Sequence, residues 1–337
     1  MYSEKYHVQD LSNTSFLVTG GAGFIGSNLV EYLLKYSAKK VLVLDNLATG
    51  KLSNLKPFMS YKNFTFIEGD ITNLQDCQNA MQNVDYVLHQ AALGSVPRSI
   101  NNPIASNNAN VNGFLNILVA AKESSSVKRV VYAASSSTYG DSPTLPKTED
   151  NIGKPLSPYA VTKYVNELYA DVFYKTYGLE TIGLRYFNVF GPKQDPNGAY
   201  AAVIPKFIGK MFKNEEVVIN GDGEHSRDFT FIENVVQANI KSALTNNREA
   251  VNQIFNVACG ERINLNQLTE AIIKNLKKAG VVSNSRINNG EERAGDVKHS
   301  LADISKASKL IGYNPKFKFN KGIELTTSWF YTKNKEA

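Results

Sequence analysis

Short apolar runs alternate with longer stretches of helical period along the first 190 residues. "SFLVTG" (15–20) is an apolar run that stops at glycine. "KVLVLDN" (40–46), "NFTFIEGD" (63–70), "VDYVLHQAA" (84–92), "VKRVVYAAS" (127–135) and "ETIGLRYFNVFG" (180–191) follow the same plan, and each predicts a strand. Between them, apolar residues recur at helical spacing. They fall at 29, 32, 33 and 36, then at 111, 115, 118 and 119, and again at 161, 165, 168, 172 and 173. Continuous apolar strands separated by helices need a parallel sheet covered on both faces, which is a doubly wound α/β architecture. Residues 1–14 read as an added polar segment that predicts a short helix before the first strand.

Beyond about residue 190 the rhythm changes. Pro and Gly become denser, a strand-like stretch covers 216–232, a helix is expected near 265–278, and a polar loop spans 284–299. This half predicts a smaller, loop-rich α/β domain. The expected division is 1–187 plus about 228–256 for the first domain and 188–227 plus about 257–337 for the second, with 228–256 returning to the first sheet.

"TGGAGFIG" (19–26) lies between the first strand and the first helix and spaces Gly20, Gly23 and Gly26 three apart. Glycines there let the backbone turn tightly and let a diphosphate approach the helix N-terminus. The second strand ends in Asp45, nineteen residues after Gly26. A carboxylate at that place accepts from an adenosine ribose and repels a 2′-phosphate, and Asn46 after it carries no positive charge, so NAD is expected rather than NADP. Asp70 and Ile71 end the third strand, and Ala91 and Ala92 end the fourth in side chains small enough to let a cofactor pass.

In "LSPYAVTK" (156–163), Ser157 and Pro158 predict a helix start, which puts Tyr159 and Lys163 on one face. A nearby ammonium lowers the pKa of a phenol, and a phenolate can take a proton from a hydroxyl. Ser135, Ser136 and Ser137 stand at the carboxyl end of the fifth strand, where open α/β sheets bind ligands and where a hydroxyl can relay a proton.

Charge and composition add exclusions. The net charge is +6, but lysines and arginines are scattered with no run of five, which argues against a nucleic-acid partner. No run of about twenty apolar residues and no secretory apolar core is present, so neither a membrane partner nor secretion is expected. Cys77 and Cys259 have no CxxC partner, which predicts buried reduced thiols in a cytoplasmic protein and no metal site.

"TGGAGFIG", "YAVTK", "LRYFNVFGP" and "ERAGDV" together resemble the extended short-chain dehydrogenase/reductases that act on nucleotide sugars, over nearly the whole chain. The resemblance implies a Rossmann domain with NAD, a UDP-sugar in the C-terminal domain, and a homodimer paired through helices near 104–122 and 158–176. It implies Ser135, Tyr159 and Lys163 as the catalytic residues. For NAD it implies Gly20, Gly23, Phe24, Ile25, Gly26, Asp45, Asn46, Gly50, Asp70, Ile71, Gln90, Ala91, Ala92, Asn110, Tyr159, Lys163 and Tyr186. For the UDP-sugar it implies Gly94, Ser95, Ser135, Ser136, Ser137, Tyr159, Asn188, Val203, Val218, Asn220, Arg227, Arg293, Asp296 and Ser300.

Details then narrow the reading. Nucleotide-sugar dehydratases carry acids in the serine tract, and glucuronate decarboxylases typically place a glutamate where Ser137 stands. Serines throughout resemble a 4-epimerase. Bacterial epimerases restricted to galactose place a bulky tyrosine at the position of Ser300 and usually a lysine at that of Gly94. Both departures resemble UDP-N-acetylglucosamine 4-epimerases of polysaccharide pathways, with UDP-hexuronic acid or UDP-glucose 4-epimerases, and behind them a UDP-glucuronate decarboxylase, as alternatives.

Overall fold

The computed structural model describes residues 1–198, 200–291 and 298–336. Seven strands form one parallel sheet: β1 Ser15–Thr19, β2 Lys40–Asp45, β3 Phe64–Glu68, β4 Tyr86–His89, β5 Arg129–Ser135, β6 Thr181–Tyr186 and β7 Gln253–Val257. Their spatial order is β7-β6-β5-β4-β1-β2-β3. All five residues of β1 and all six of β6 are buried, as the interior strands of a sheet covered on both faces are.

Successive residues of each strand serve opposite faces. Phe16 and Val18 pack with helices Phe24–Lys35 and Ile232–Leu244, while Leu17 packs with helices Gly113–Glu123 and Pro158–Tyr177. The sheet is a doubly wound, Rossmann-like layer, and β7 brings the chain back to it after an excursion through the C-terminal half. That half holds helices Val203–Phe212, Leu265–Lys278 and Phe319–Glu336 and three two-stranded pairings.

Two expected strands are shorter than their apolar runs. The 180–191 run breaks at Asn188, whose φ of 34° turns the chain, and Val189–Phe190 pairs with Thr230–Phe231 instead. The 216–232 run breaks at Gly221 and Gly223, both at positive φ, leaving Val217–Asn220, Ser226–Arg227 and Thr230–Phe231. Cys77 and Cys259 are unpaired and buried.

The first fourteen residues differ from expectation. Only Leu11–Asn13 turns helically; the rest runs extended and buries Tyr2, Tyr6 and His7. Tyr32 is the anchor: Tyr6 stacks on its ring at 5.4 Å, Tyr2 meets it edge-on at 5.6 Å, and its hydroxyl accepts from the Tyr6 N–H at 2.6 Å. Glu233 accepts from the Tyr2 N–H and the Tyr6 hydroxyl. The segment therefore joins helix Phe24–Lys35 to helix Ile232–Leu244. Because Tyr2 is fully buried, Tyr2→Ala should lower unfolding stability by about 3 kcal/mol or more, read from the midpoint shift in denaturant.

Candidate active site

Strand order reverses between β1 and β4, the place where an open parallel sheet leaves a crevice at its carboxyl edge. A cleft of about 510 Å³ opens there. Gly20 leaves β1 at φ 68°, and a Cβ on it would lie 2.7 Å from the Ala91 nitrogen. A Cβ on Gly26 would lie 2.2 Å from the Gly20 oxygen. Backbone therefore packs on backbone, and the N-terminus of helix Phe24–Lys35 looks into the cleft.

Asp45 ends β2 and braces this turn. Its Oδ2 accepts from the Ala22 N–H at 2.9 Å and its Oδ1 from the Leu47 N–H at 2.8 Å. Burial raises its pKa, and these two hydrogen bonds oppose the rise. Asn46 reaches across to Asp70, donating to Oδ2 at 2.8 Å. Burial works against the Asp70 charge, but bonds from Thr72 and Asn46 outweigh it and hold the carboxyl below its usual range.

Gly20, Gly23, Phe24, Ile25, Gly26, Asp45, Asn46, Gly50, Asp70, Ile71, Gln90, Ala91 and Ala92 line the cleft together with Gly94. The site fits a dinucleotide: a cradle that Cβ atoms would fill, a helix N-terminus and an acidic strand end. Asn110 and Tyr186 stand behind the lining. Asn110 sits in a π-helical turn, accepts from the Leu93 N–H at 2.8 Å and donates to the Leu93 oxygen and to Thr162 Oγ1. Tyr186 bonds to Gln90 and Asn239.

Helix Pro158–Tyr177 begins as its sequence dictates. Ser157 Oγ accepts from the Ala160 N–H at 3.2 Å, Pro158 opens the helix, and Gly178 ends it at φ 71°. Lys163 is 2% exposed, and its Nζ donates to the Ala133 oxygen on β5 at 2.8 Å. Burial lowers its pKa to about 8, against an opposing pull from Glu167. Ser137 donates twice to Ser135 Oγ, from its N–H at 3.1 Å and its hydroxyl at 2.9 Å. Ser135 is left with its own proton to give, and its hydroxyl draws the Tyr159 pKa down.

Burial raises the Tyr159 pKa, and the bond with Ser135 opposes the rise. The Lys163 ammonium, one turn along the same helix, is anchored on β5 by the Ala133 carbonyl.

Ser95, Asn188, Val203, Asn220 and Arg227 line a second cavity of about 720 Å³ with Tyr200, Lys206 and His225. Gly94 lines the first cleft and Ser95 the second, so the two meet at this dipeptide. Ser95 stands at φ 97°, a strained conformation for a side-chain-bearing residue. Ser136 begins the short turn after β5. Ser300 donates its N–H to the Ser226 oxygen at 3.0 Å, next to Arg227. Val218 does not line the cavity; strand alternation buries Val217 and Ile219 and leaves it beside Gly290. Arg293 and Asp296 lie outside the described residues.

Several contributors escape motif reading. Ser99 Oγ accepts from the Tyr159 N–H at 3.0 Å. Arg185 on β6 forks onto Glu167, Nε to Oε1 and Nη2 to Oε2, both at 2.8 Å. A charge inside the apolar run "GLRYF" was the available signal for Arg185, since a buried guanidinium needs a carboxylate. Among the described residues no cluster of His, Cys, Asp or Glu could hold a metal ion, and no helix is long and apolar enough to cross a membrane.

Comparison with known proteins gives a family and several neighbours. The model of the NAD dependent epimerase/dehydratase family matches residues 16–258. A putative UDP-glucose 4-epimerase of Methanocaldococcus jannaschii is 35% identical over 320 residues, 95% of this chain and 99% of that protein. The UDP-N-acetylglucosamine 4-epimerase of Methanobrevibacter ruminantium, solved with UDP-N-acetylmuramic acid, is 41% identical with a TM-score of 0.88 and covers 95% of this chain and 99% of its own. The UDP-glucuronic acid 4-epimerase of Bacillus cereus, solved with UDP-glucuronic acid and NAD, is 31% identical with a TM-score of 0.85 and covers 95% and 100%.

Lys163 yields a test with a defined sign. Its native pKa of about 8 lies below the ordinary 10.5, so between those values the unfolded chain binds more protons and stability gained at this position rises with pH. Relative to Lys163→Met, the wild type should therefore gain stability from about pH 8 to pH 10.5, by about 1.4 kcal/mol for each unit of displacement. Denaturant unfolding of both proteins across that window checks it.

Proposed function

The chain belongs to the NAD-dependent epimerase/dehydratase family, and from that premise we propose that it interconverts UDP-N-acetylglucosamine and UDP-N-acetylgalactosamine at sugar C4. It is an NAD-dependent UDP-sugar 4-epimerase. The observation that carries the 4-epimerase chemistry is the serine tract. Ser137 fixes the Ser135 hydroxyl as an acceptor of two bonds, which aims its single proton at Tyr159.

Tyr159 takes the proton of the 4-hydroxyl, and Ser135 donates to the phenolate as it forms. Bound NAD supplies the reversible hydride acceptor at C4. Lys163 adds positive charge beneath the site from a position fixed on β5. The sugar passes through a 4-keto form, turns over and regains its proton from Tyr159. No carboxylate stands in the 135–137 tract to expel water or to support decarboxylation. The diphosphate is assigned to Arg227 and, by sequence, to Arg293, and a ribose or sugar hydroxyl to Asp296; Asn188 and Ser95 edge the sugar.

Room for an N-acetyl group supports the amino-sugar substrate. A Cβ on Gly94 would meet no atom within 4 Å, and Ser300 presents a small side chain beside Ser226. A homodimer belongs to the same proposal. Val161, Leu168 and Val172 expose 49%, 50% and 51% of their surface on the outer face of helix Pro158–Tyr177, next to Ile100 and Ile104 on the neighbouring short helices. Such a stripe suits pairing with a second copy.

Incubation with UDP-glucose, UDP-N-acetylglucosamine and their uronic acids, followed by product mass and stereochemistry, tests the reading. The N-acetylated pair should be interconverted fastest without net NADH release; a change of mass or a preference for a uronic acid would overturn it. Tyr159→Phe should lose about a hundredfold or more of turnover while still binding UDP-sugar. Ser300→Tyr should cut the preference for N-acetylated over plain sugars by about tenfold. For the dimer, Leu168→Glu should shift the sedimenting species to monomer; an unchanged dimer would move the interface elsewhere.

A further inference from the structure

Behind the cofactor cleft three side chains close a ring. The Tyr186 hydroxyl donates to Gln90 Oε1 at 3.1 Å, Gln90 Nε2 donates to Asn239 Oδ1 at 3.1 Å, and Asn239 Nδ2 donates to the Tyr186 hydroxyl at 2.9 Å. The Tyr186 hydroxyl also lies 3.3 Å from Asn239 Oδ1, but its single proton has the shorter path to Gln90; within the ring each group then gives one hydrogen bond and receives one, so polarisation runs the same way around it. The direction is set by Asn239, whose Nδ2 also donates to the Val235 oxygen at 2.8 Å. A carbonyl only accepts, so the amide nitrogen must be on that side.

The ring ties together three elements distant in sequence. Asn239 is fully buried on helix Ile232–Leu244, Tyr186 ends β6 directly across from Ser135, and Gln90 follows β4. Of the three, only Gln90 lines the cleft. It stands between the glycine cradle and the reacting groups. Its N–H donates to the Thr19 oxygen at 3.1 Å, the Cβ that Gly20 lacks would lie 2.9 Å from its carbonyl carbon, and β5 with Ser135 is the next strand over. Its carboxamide has two N–H groups and the ring uses one; among the described residues no protein acceptor meets the other.

We propose that Asn239 and Tyr186 are positioning residues for the cofactor, locking Gln90 so that its second N–H faces the nicotinamide half of NAD. Ribose hydroxyls and the carboxamide oxygen there are acceptors for it. The design has a physical reason. A lone glutamine at a cleft edge samples several rotamers, and freezing it costs conformational entropy when ligand binds. A buried ring of fixed polarity meets that cost during folding instead.

The test is the affinity for NAD of the full chain freed of nucleotide, titrated by calorimetry, with UDP binding measured on the same samples. Tyr186→Phe, Asn239→Leu and Gln90→Leu should each weaken NAD binding about fivefold to tenfold and leave UDP binding unchanged. The decisive arm is the double variant. If Asn239 acts through Gln90, then Asn239→Leu added to Gln90→Leu weakens NAD binding no further. NAD affinity unchanged in Tyr186→Phe, losses that add in the double variant, or an equal loss of UDP binding would overturn the proposal. Should Asn239→Leu fail to fold, Tyr186→Phe with Gln90→Leu carries the same comparison, because removing one hydroxyl leaves the packing intact.

Discussion

The buried ion pair between Arg185 and Glu167 sets the geometry on which the site depends. Both side chains are 3% exposed, and the two parallel bonds admit one relative placement of β6 and helix Pro158–Tyr177. Glu167 stands one turn beyond Lys163 and Arg185 stands one residue before Tyr186. Arg185 also donates to the Glu149 oxygen and lies 4.8 Å over the Tyr139 ring, so the long loop after the serine tract hangs from the same guanidinium. Loss of either partner would strand a buried charge, at a cost of about 3–5 kcal/mol. The pair is better understood as a positional constraint than as a source of stability, since two charges lose much of their attraction to desolvation.

From this anchor the placement of Lys163, Ser135 and Tyr159 follows outward. Glu167 holds the helix, the helix holds Lys163 against the Ala133 carbonyl, and Ser135 two residues further along β5 meets Tyr159. On the cofactor side Asp45 has a comparable double part. Its carboxylate is at once the acidic strand end that a ribose would meet and the clip that closes the Ala22 turn of the glycine loop. A substitution there would disturb the turn itself.

The C-terminal half is fastened by another buried carboxylate. Asp228 is fully buried and accepts from the N–H groups of Cys259, Gly260 and Ala302 at 2.9, 3.0 and 3.3 Å. Burial lifts its pKa to about 6 despite those bonds. It thereby joins the end of β7 to the segment carrying Ser300, and its backbone oxygen receives the Asn188 amide at 3.1 Å. The wall of the second cavity and the edge of the main sheet are held by one side chain.

Local periodicity made the strands, the helices and the glycine turn legible in the sequence, because each is dictated by neighbours a few residues away. Ser157, Pro158 and Gly178 bound their helix from sequence alone for the same reason. Residues 1–14 carry no apolar period that shows their burial, because Tyr2 and Tyr6 find rings and a carboxylate only in the folded state. The pairing of Tyr159 with Lys163 illustrates the same limit. Their spacing placed them on one helix, but the acceptor that claims Lys163 lies on β5, and that choice belongs to the tertiary structure. The amino-acid order thus determined the fold class, the glycine turn and which polar groups stand at the carboxyl edge of the sheet. The tertiary structure alone decided the direction of each pKa shift, the Gln90–Asn239–Tyr186 ring and the meeting of the two cavities at Gly94 and Ser95. Each of these depends on burial and on partners far away in the chain, which no local pattern encodes.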